Sequence, residues 1–486
     1  MKLRAVALAV ACATGATRGT QAQRCDLKPG HPLVTRAIAL LRSAGETAFQ
    51  DERDKDLRDA LQQLTNVLGL AAQAKNAAAW YYLGRYYVAT SDLLGADSAF
   101  RQTVVLAPGC EDEVNTWRRV LWVPVVNAGV AAWQGGNLDS ALTAFRSANA
   151  VYTAEPTAFA YMAAILAARD DLDSAAAYFQ LALTAAADPR FTPERKNAMY
   201  NMARVYQRAG RYDDAARAYS RYLDDYPADI SARASVVAVY LETGQSDSAA
   251  AGVAALLADS DSAEAGDLIS GGEEIYRAVP APPDTAVVAA CAVDASDALA
   301  RCDTTTREAL AAYDTARVQA SRLALAVVRA GLAKNPWDRT ALFTATDIAV
   351  VAGDTRFADS AAARLFSLDP GNRATLLLVS QAWRAAGNAD SAGHYATLAD
   401  SLPLDVTVGT LSVSPEGATL SGVVTNREPH GVGSTALGFD FLDRAGAVIT
   451  SATQCLPALE AGESSPFAVN GAGEGIAAWR YRVGAP

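Results

Sequence analysis

Histidine is scarce in this chain of 486 residues: His31, His394 and His430 are all there is, each isolated, and none of the six cysteines form a Cys-x-x-Cys pair. A zinc site needs clustered nitrogen and sulfur ligands, so no metal is expected. The chain has no Gly-x-x-x-x-Gly-Lys-Ser/Thr loop, no His-Glu-x-x-His and no Gly-x-Ser-x-Gly elbow, which removes three common routes to chemistry. Basic excess is missing too. Lys and Arg total 42 against 53 Asp and Glu, a net charge of −11, which repels phosphate backbones and argues against nucleic acid as a partner. Past the N-terminus there is no apolar run of about 18 residues, so no second segment reads as a membrane span.

What remains by way of candidate chemistry reduces to surface. Gly471-Ala472-Gly473-Glu474-Gly475 is rich in glycine, but it falls between expected strands with no helix to direct a dipole at phosphate, and reads as a hairpin loop. The acid pairs Asp213-Asp214, Asp224-Asp225 and Glu273-Glu274 read as solvated or capping carboxylates. No catalytic residue and no cofactor are expected, so the chain reads as a non-enzyme.

The N-terminus carries Lys2 and Arg4, an apolar run from Ala5 to Ala13, and Thr20-Gln21-Ala22 before Gln23, the pattern of an export signal cut after Ala22. A rival reading places a lipid on Cys12, although the Leu expected three residues earlier is missing; membrane attachment is expected only in that case. Export makes Cys25, Cys110, Cys291 and Cys302 disulfide candidates, with Cys455 making the mature count odd. On one continuous helix Cys291 and Cys302 would stand about 16 Å apart, so they could pair only across a turn.

Hydrophobic residues make up 51% of the chain and charged residues 20%, the composition of a folded protein of two to four domains. Asp-Ser-Ala recurs at Asp97, Asp139, Asp173, Asp247, Asp261, Asp359 and Asp390, and aligning these copies exposes a period of about 34 residues. Within a period the apolar residues fall at i, i+3, i+4 and i+7, then a Gly such as Gly136 or Gly210 ends the helix and a second helix follows. A lone hairpin cannot bury its apolar stripe, so the copies must stack. At Asp139, Asp173, Asp247 and Asp390 the triplet is expected to start the second helix, with its Asp or Ser as the cap, whereas at Asp97 and Asp359 it is expected three residues further on, inside the helix.

The clearest copy, Ala77 to Pro108, holds Trp80, Leu83, Gly84, Tyr87, Ala96, Phe100 and Pro108. This spacing resembles the tetratricopeptide repeat at seven signature positions. Weaker copies follow through Gly129/Phe145, Ala163/Phe179, Ala203/Tyr219, Ala249, Ala358 and Ala392, so the resemblance covers most of 77–404. It implies an α-solenoid in an N-terminal array at 23–258 and further repeats at 306–404, with 259–305 as a degenerate repeat or linker containing Pro280-Ala281-Pro282-Pro283. It also implies a groove lined by the second, fifth, ninth, twelfth and thirteenth repeat positions. These are Tyr81, Arg85, Trp133, Asn197, Tyr200, Arg204, Gln207 and Arg208, and the implied partner is a protein or peptide.

From 405 to 486 the period changes to alternation, with Leu437, Phe439, Phe441, Trp479, Tyr481 and Val483 separated by turns, which predicts a small antiparallel β-sandwich of about six strands. Gly422 to Asn426, Phe439 to Gly446 and Phe467 resemble the immunoglobulin-like module named for Phe-x-Leu-Tyr-Asp, with Phe441-Leu442 standing where Leu-Tyr would be. The expectation is an exported scaffold of a bacterial periplasm or outer envelope, mainly α, ending in this sandwich. The alternatives are a lipid-anchored accessory or assembly factor, and a cell-wall or carbohydrate binder acting through the sandwich.

Overall fold

The computed structural model describes residues 25–278 and 304–484, with side chains from 307 onward in the second stretch. The leader at 1–22 with Cys12, and the pair Cys291 and Cys302, lie outside the described residues.

Among the described residues, eighteen α-helices precede six β-strands. They pair in chain order as hairpins: α1 (Pro32–Glu46) with α2 (Gln50–Leu68), α3 (Ala77–Ala89) with α4 (Leu93–Leu106), α5 (Glu111–Gln134) with α6 (Leu138–Val151), α7 (Thr157–Ala168) with α8 (Leu172–Ala185), α9 (Thr192–Arg208) with α10 (Tyr212–Asp225), α11 (Ile230–Glu242) with α12 (Ser246–Ala258), α13 (Ala265–Arg277) with α14 (Thr304–Lys334), α15 (Arg339–Ala352) with α16 (Thr355–Leu368), and α17 (Arg373–Ala385) with α18 (Ala389–Asp400). The chain divides into two compact units, one up to Ala198 and one from Met199, so the division falls inside α9.

In two hairpins of the first unit, α3 with α4 and α5 with α6, an aromatic ring lies on a position without a side chain. A Cβ added to Gly84 would stand 2.4 Å from Phe100, and one added to Gly129 would stand 2.7 Å from Phe145. Both rings are fully buried. A disulfide joins Cys25 to Cys110 across 85 residues, tying the segment before α1 to the start of α5. In the second unit the same slot is filled by Ala203 against Tyr219, again fully buried.

The structure departs from the expected helix starts. At Asp139, Asp173 and Asp390 the Asp-Ser-Ala triplet lies inside the first turn of the second helix, and the cap is the residue two places earlier, while at Asp97 and Asp359 the caps are Asp92 and Asp354, five places earlier. Asn137, Asp171 and Asn388 accept from the backbone N–H of Ser140, Ser174 and Ser391 respectively. The reason is geometric, because an N-cap oxygen bonds the N–H two or three residues ahead and must sit outside helical φ/ψ. Before those caps the chain turns through a left-handed residue, a Gly at 136, 210, 244, 353 and 387, but Ser91 and Asp170 in two hairpins.

Of the segment expected as a degenerate repeat or linker at 259–305, the described part includes α13, which packs on α14. A Cβ on Gly272 of α13 would stand 2.4 Å from Val328, and one on Gly331 would stand 2.9 Å from the Ala265 carbonyl. These glycines let the two helices approach despite the chain inserted between them.

The strands form two antiparallel three-stranded sheets, β1 (Leu404–Ser414), β2 (Gly417–Asn426) and β5 (Ser464–Ala472) in the order β1-β2-β5, and β3 (Thr435–Leu442), β4 (Val448–Leu456) and β6 (Ala478–Val483) in the order β4-β3-β6. Leu420, Val424, Phe439, Phe441, Phe467 and Tyr481 fill the space between them. Gly471 and Ala472, expected in a loop, belong to β5, because Phe441 covers Gly471 closely enough that a Cβ would stand 2.4 Å from the ring.

The sandwich meets the helices at the turns after α14 and α16. Asp369, with no exposed surface, accepts from Arg339 at 2.7 Å, Thr375 at 2.9 Å and the Tyr481 hydroxyl at 2.8 Å, while that hydroxyl accepts from the Gly371 N–H at 3.0 Å. Asn372 donates to the Val406 carbonyl at 3.0 Å and Asn335 to that of Ala477 at 2.9 Å.

Two outcomes follow for stability. Ser91 has φ of 59°, where a Cβ is strained by about 1–2 kcal/mol and Gly is not. After the entropy cost of a glycine, Ser91→Gly should stabilise by up to about 1 kcal/mol in urea unfolding, and a loss of stability would refute the strain. Tyr481→Phe leaves the Gly371 N–H and one lone pair of buried Asp369 without their partner, and should cost about 1–3 kcal/mol by the same measurement.

Candidate functional site

Within each unit, several first helices carry polar and aromatic side chains that reach the first helix of the next hairpin. In the first unit, the Tyr81 hydroxyl on α3 donates to Glu113 on α5 at 2.7 Å and accepts from the Trp117 indole at 2.8 Å. Tyr81 is therefore a buried strut, 4% exposed, and burial with the neighbouring Glu113 charge raises its hydroxyl pKa. Arg85 lies with its guanidinium 4.1 Å from the centre of the Trp117 ring. Trp133, near the end of α5, is 40% exposed and meets Tyr161 of α7 edge-on at 5.3 Å. Arg119 of α5 pairs with Glu155, just before α7.

In the second unit the row is more polar. Tyr200 of α9 packs on Tyr219 and Tyr222 of α10 at 6.0 and 5.5 Å. Gln207 accepts from the Tyr219 hydroxyl at 3.0 Å and donates to Glu242 of α11 at 3.2 Å. Two first helices further on, Glu273 of α13 accepts from Thr344 of α15 at 3.1 Å, and the Tyr276 hydroxyl donates to Asp347 at 3.1 Å. Arg204 and Arg208 are exposed on α9, as is Asn197 earlier on the same helix.

The candidate residues thus fall into two sets, Tyr81, Arg85 and Trp133 in one unit and Tyr200, Arg204, Gln207 and Arg208 in the other, with Asn197 just before the division. Glu242, Glu273, Tyr276 and Asp347 were not among them. They stand at the ninth, twelfth or thirteenth repeat positions once the register is carried forward to α11, α13 and α15. The small Gly272, at the place of Ala203, was the signal for α13.

Burial sets the electrostatics of this face. The half-buried Glu242 carboxyl has its pKa pushed up by desolvation, opposed by the Gln207 hydrogen bond and reinforced by the charge of Glu274. Burial and the Asp347 charge push Tyr276 up to about 12. Among the described residues no group of three or more His, Cys, Asp and Glu is arranged to hold a metal ion, and no helix is long and apolar enough to cross a membrane.

Residues 155–228 match the family model described as tetratricopeptide repeat. No curated protein matches the chain. Among solved structures it is similar to MamA, with 19% identity over 37% of this chain and 95% of that one at a TM-score of 0.26. It is similar also to a tetratricopeptide repeat protein from Parabacteroides merdae, with 13% identity over 58% and 93% at a TM-score of 0.30. YrrB, described as a TPR protein with an unusual peptide-binding site, shares 16% identity over 43% and 91% at a TM-score of 0.26.

The raised pKa of Glu242 has a testable sign. An acid whose folded pKa lies above its unfolded value lowers stability as pH rises through that window, and the cost is fully present above the folded pKa. Glu242→Gln keeps an acceptor for Gln207 and removes the charge. Its unfolding free energy minus that of the parent should therefore rise between pH 4 and pH 7; a flat or falling difference would show that the site does not penalise the carboxylate.

Proposed function

We propose that this chain, which carries tetratricopeptide repeats, is an exported scaffold that holds a protein segment against the first helices of its second unit. Tetratricopeptide repeats mediate protein–protein interaction. The observation that carries the finer reading is the order of charge along that face. Arg204 and Arg208 stand on α9, followed by Glu242 on α11, Glu273 and Glu274 on α13, where Arg277 pairs with both at 2.8 and 4.0 Å, and Asp347 on α15. A partner segment with acidic residues at one end and basic residues at the other is matched in one direction only, and such complementarity selects partners more than it adds raw affinity. The aromatic and Arg side chains among these are the types that dominate interface energetics.

Export is the second half of the proposal. Its supports are the charged, apolar and small-residue sequence of the leader at 1–22, and the Cys25–Cys110 disulfide, which persists in oxidising compartments. In this reading the mature chain begins at Gln23, its repeats run to about 404, and the sandwich at 405–486 completes it in the bacterial envelope.

One experiment tests both. Protein recovered from the cell envelope after crosslinking should have Gln23 as its N-terminus, and the crosslinked partner should be lost from the doubly reversed Arg204→Glu, Asp347→Arg chain. At about 2 kcal/mol for one interface hot spot, affinity should fall roughly thirtyfold. Unchanged capture by a correctly folded double variant sinks the groove, and retention of Met1 sinks export.

A further inference from the structure

A second surface stands apart from the first-helix face. Between α14 and the turn joining α15 to α16 lies a recess of about 520 Å³ lined by Arg322, Arg329 and Arg356 with Asp354 as its one acid. Three guanidinium groups around one recess are a strong local reversal of sign in a chain of net charge −11.

The three arginines are not equivalent. Arg329 is committed, bonded to Asp354 at 2.6 Å and stacked 4.0 Å from the centre of the Phe357 ring, while Asp354 also caps α16 by accepting from the Phe357 N–H at 3.1 Å. Asp354 is held below the usual carboxylate range by that backbone hydrogen bond and by Arg329, with Arg356 contributing through its charge. Arg322 makes one long bond, to the Ala352 carbonyl at 3.4 Å. Arg356 is exposed and reaches Asp354 only through space. Two guanidinium forks therefore keep donors to spare, beside the Thr355 side chain on the same wall.

From this geometry we infer a phosphate-binding pocket, in which Arg322 and Arg356 grip the oxygens of a phosphate dianion from two sides and Arg329 with Asp354 holds the turn in place. A planar guanidinium gives two parallel charge-assisted hydrogen bonds to such an oxyanion, a recognition that a lone ammonium does not reproduce. The recess is roomier than one phosphate needs, so the ligand is a phosphate monoester whose organic group lies along Leu325 and Ala326. None of the groove residues takes part, so this pocket stands or falls independently of the proposed scaffold function.

The test titrates the full mature chain with inorganic phosphate and with glycerol 3-phosphate at constant ionic strength, followed by calorimetry and thermal shift. Both should bind and raise Tm, and the Arg322→Gln, Arg356→Gln chain should bind each at least tenfold more weakly. Arg329 is spared because its loss would disturb the cap of α16. Arg444→Gln, on an exposed hairpin turn of the sandwich, is the control for general charge and should bind as the parent does. Absence of binding by the parent overturns the inference. Equal loss in the control, or none in the double variant, overturns it as well.

Discussion

Everything in the helical part depends on how closely two helices of a hairpin can approach. At Gly84 and Gly129 the first helix offers bare backbone to Phe100 and Phe145, whose rings are fully buried. A buried ring of this size contributes several kcal/mol, but only if nothing stands in its place. The slot recurs with Ala203 against Tyr219 in the second unit. In the second unit, residues of one first helix stand beside those of the next. Gln207 meets Glu242, 35 positions on and close to one repeat length, whereas Glu273 meets Thr344, 71 positions on, across the inserted chain.

The same slot explains what could be read from the amino acids alone. Where glycine or alanine and an aromatic stand at the expected separation, as in Gly84 with Phe100 or Ala203 with Tyr219, pattern and packing coincide and the hairpins were legible. The strand alternation around Phe439 and Phe441 was legible for a similar reason, since one face of each sheet must be apolar. The pairing of α13 with α14 was not, because Gly272 meets Val328 only after a long insertion and the ring is replaced by an aliphatic side chain. The cap residues were misread by two places for a different reason. Asn137, Asp171 and Asn388 vary in type, whereas the Asp-Ser-Ala after them repeats and draws attention to itself. For the site, aromatic and Arg positions were visible in the clear copies, while Glu242, Glu273 and Asp347 gain meaning only from a register that the sequence interrupts.

The joint between repeats and sandwich belongs to a class that sequence patterns do not reach. Asp369, Arg339, Thr375 and Tyr481 carry no periodic signal, and the hydroxyl that completes the set lies 112 residues beyond the carboxylate. Burial pushes the Asp369 carboxyl up even with the Arg339 guanidinium beside it, so this cluster is a weak source of net stability. Its contribution is geometric. Each oxygen and N–H has one satisfied arrangement, and sliding the sandwich would strand several buried polar groups at once.

That fixed joint bears on which surfaces of the second unit remain open. The sandwich occupies the turns after α14 and α16, reached through Asn335, Gly371 and Asn372. The last helix instead presents exposed Asp390, His394, Thr397 and Asp400 to solvent, the polar outer face that lets a terminal repeat end an array without a further partner. An array closed by its own polar helix needs no domain at its end, so the sandwich is free to serve as a fixed lateral neighbour. With the end sealed and the turns covered, the first helices keep their half-buried charged row uncovered. That row is already hydrogen-bonded within the fold, Glu242 to Gln207, Glu273 to Thr344 and Asp347 to Tyr276, which holds its side chains in place.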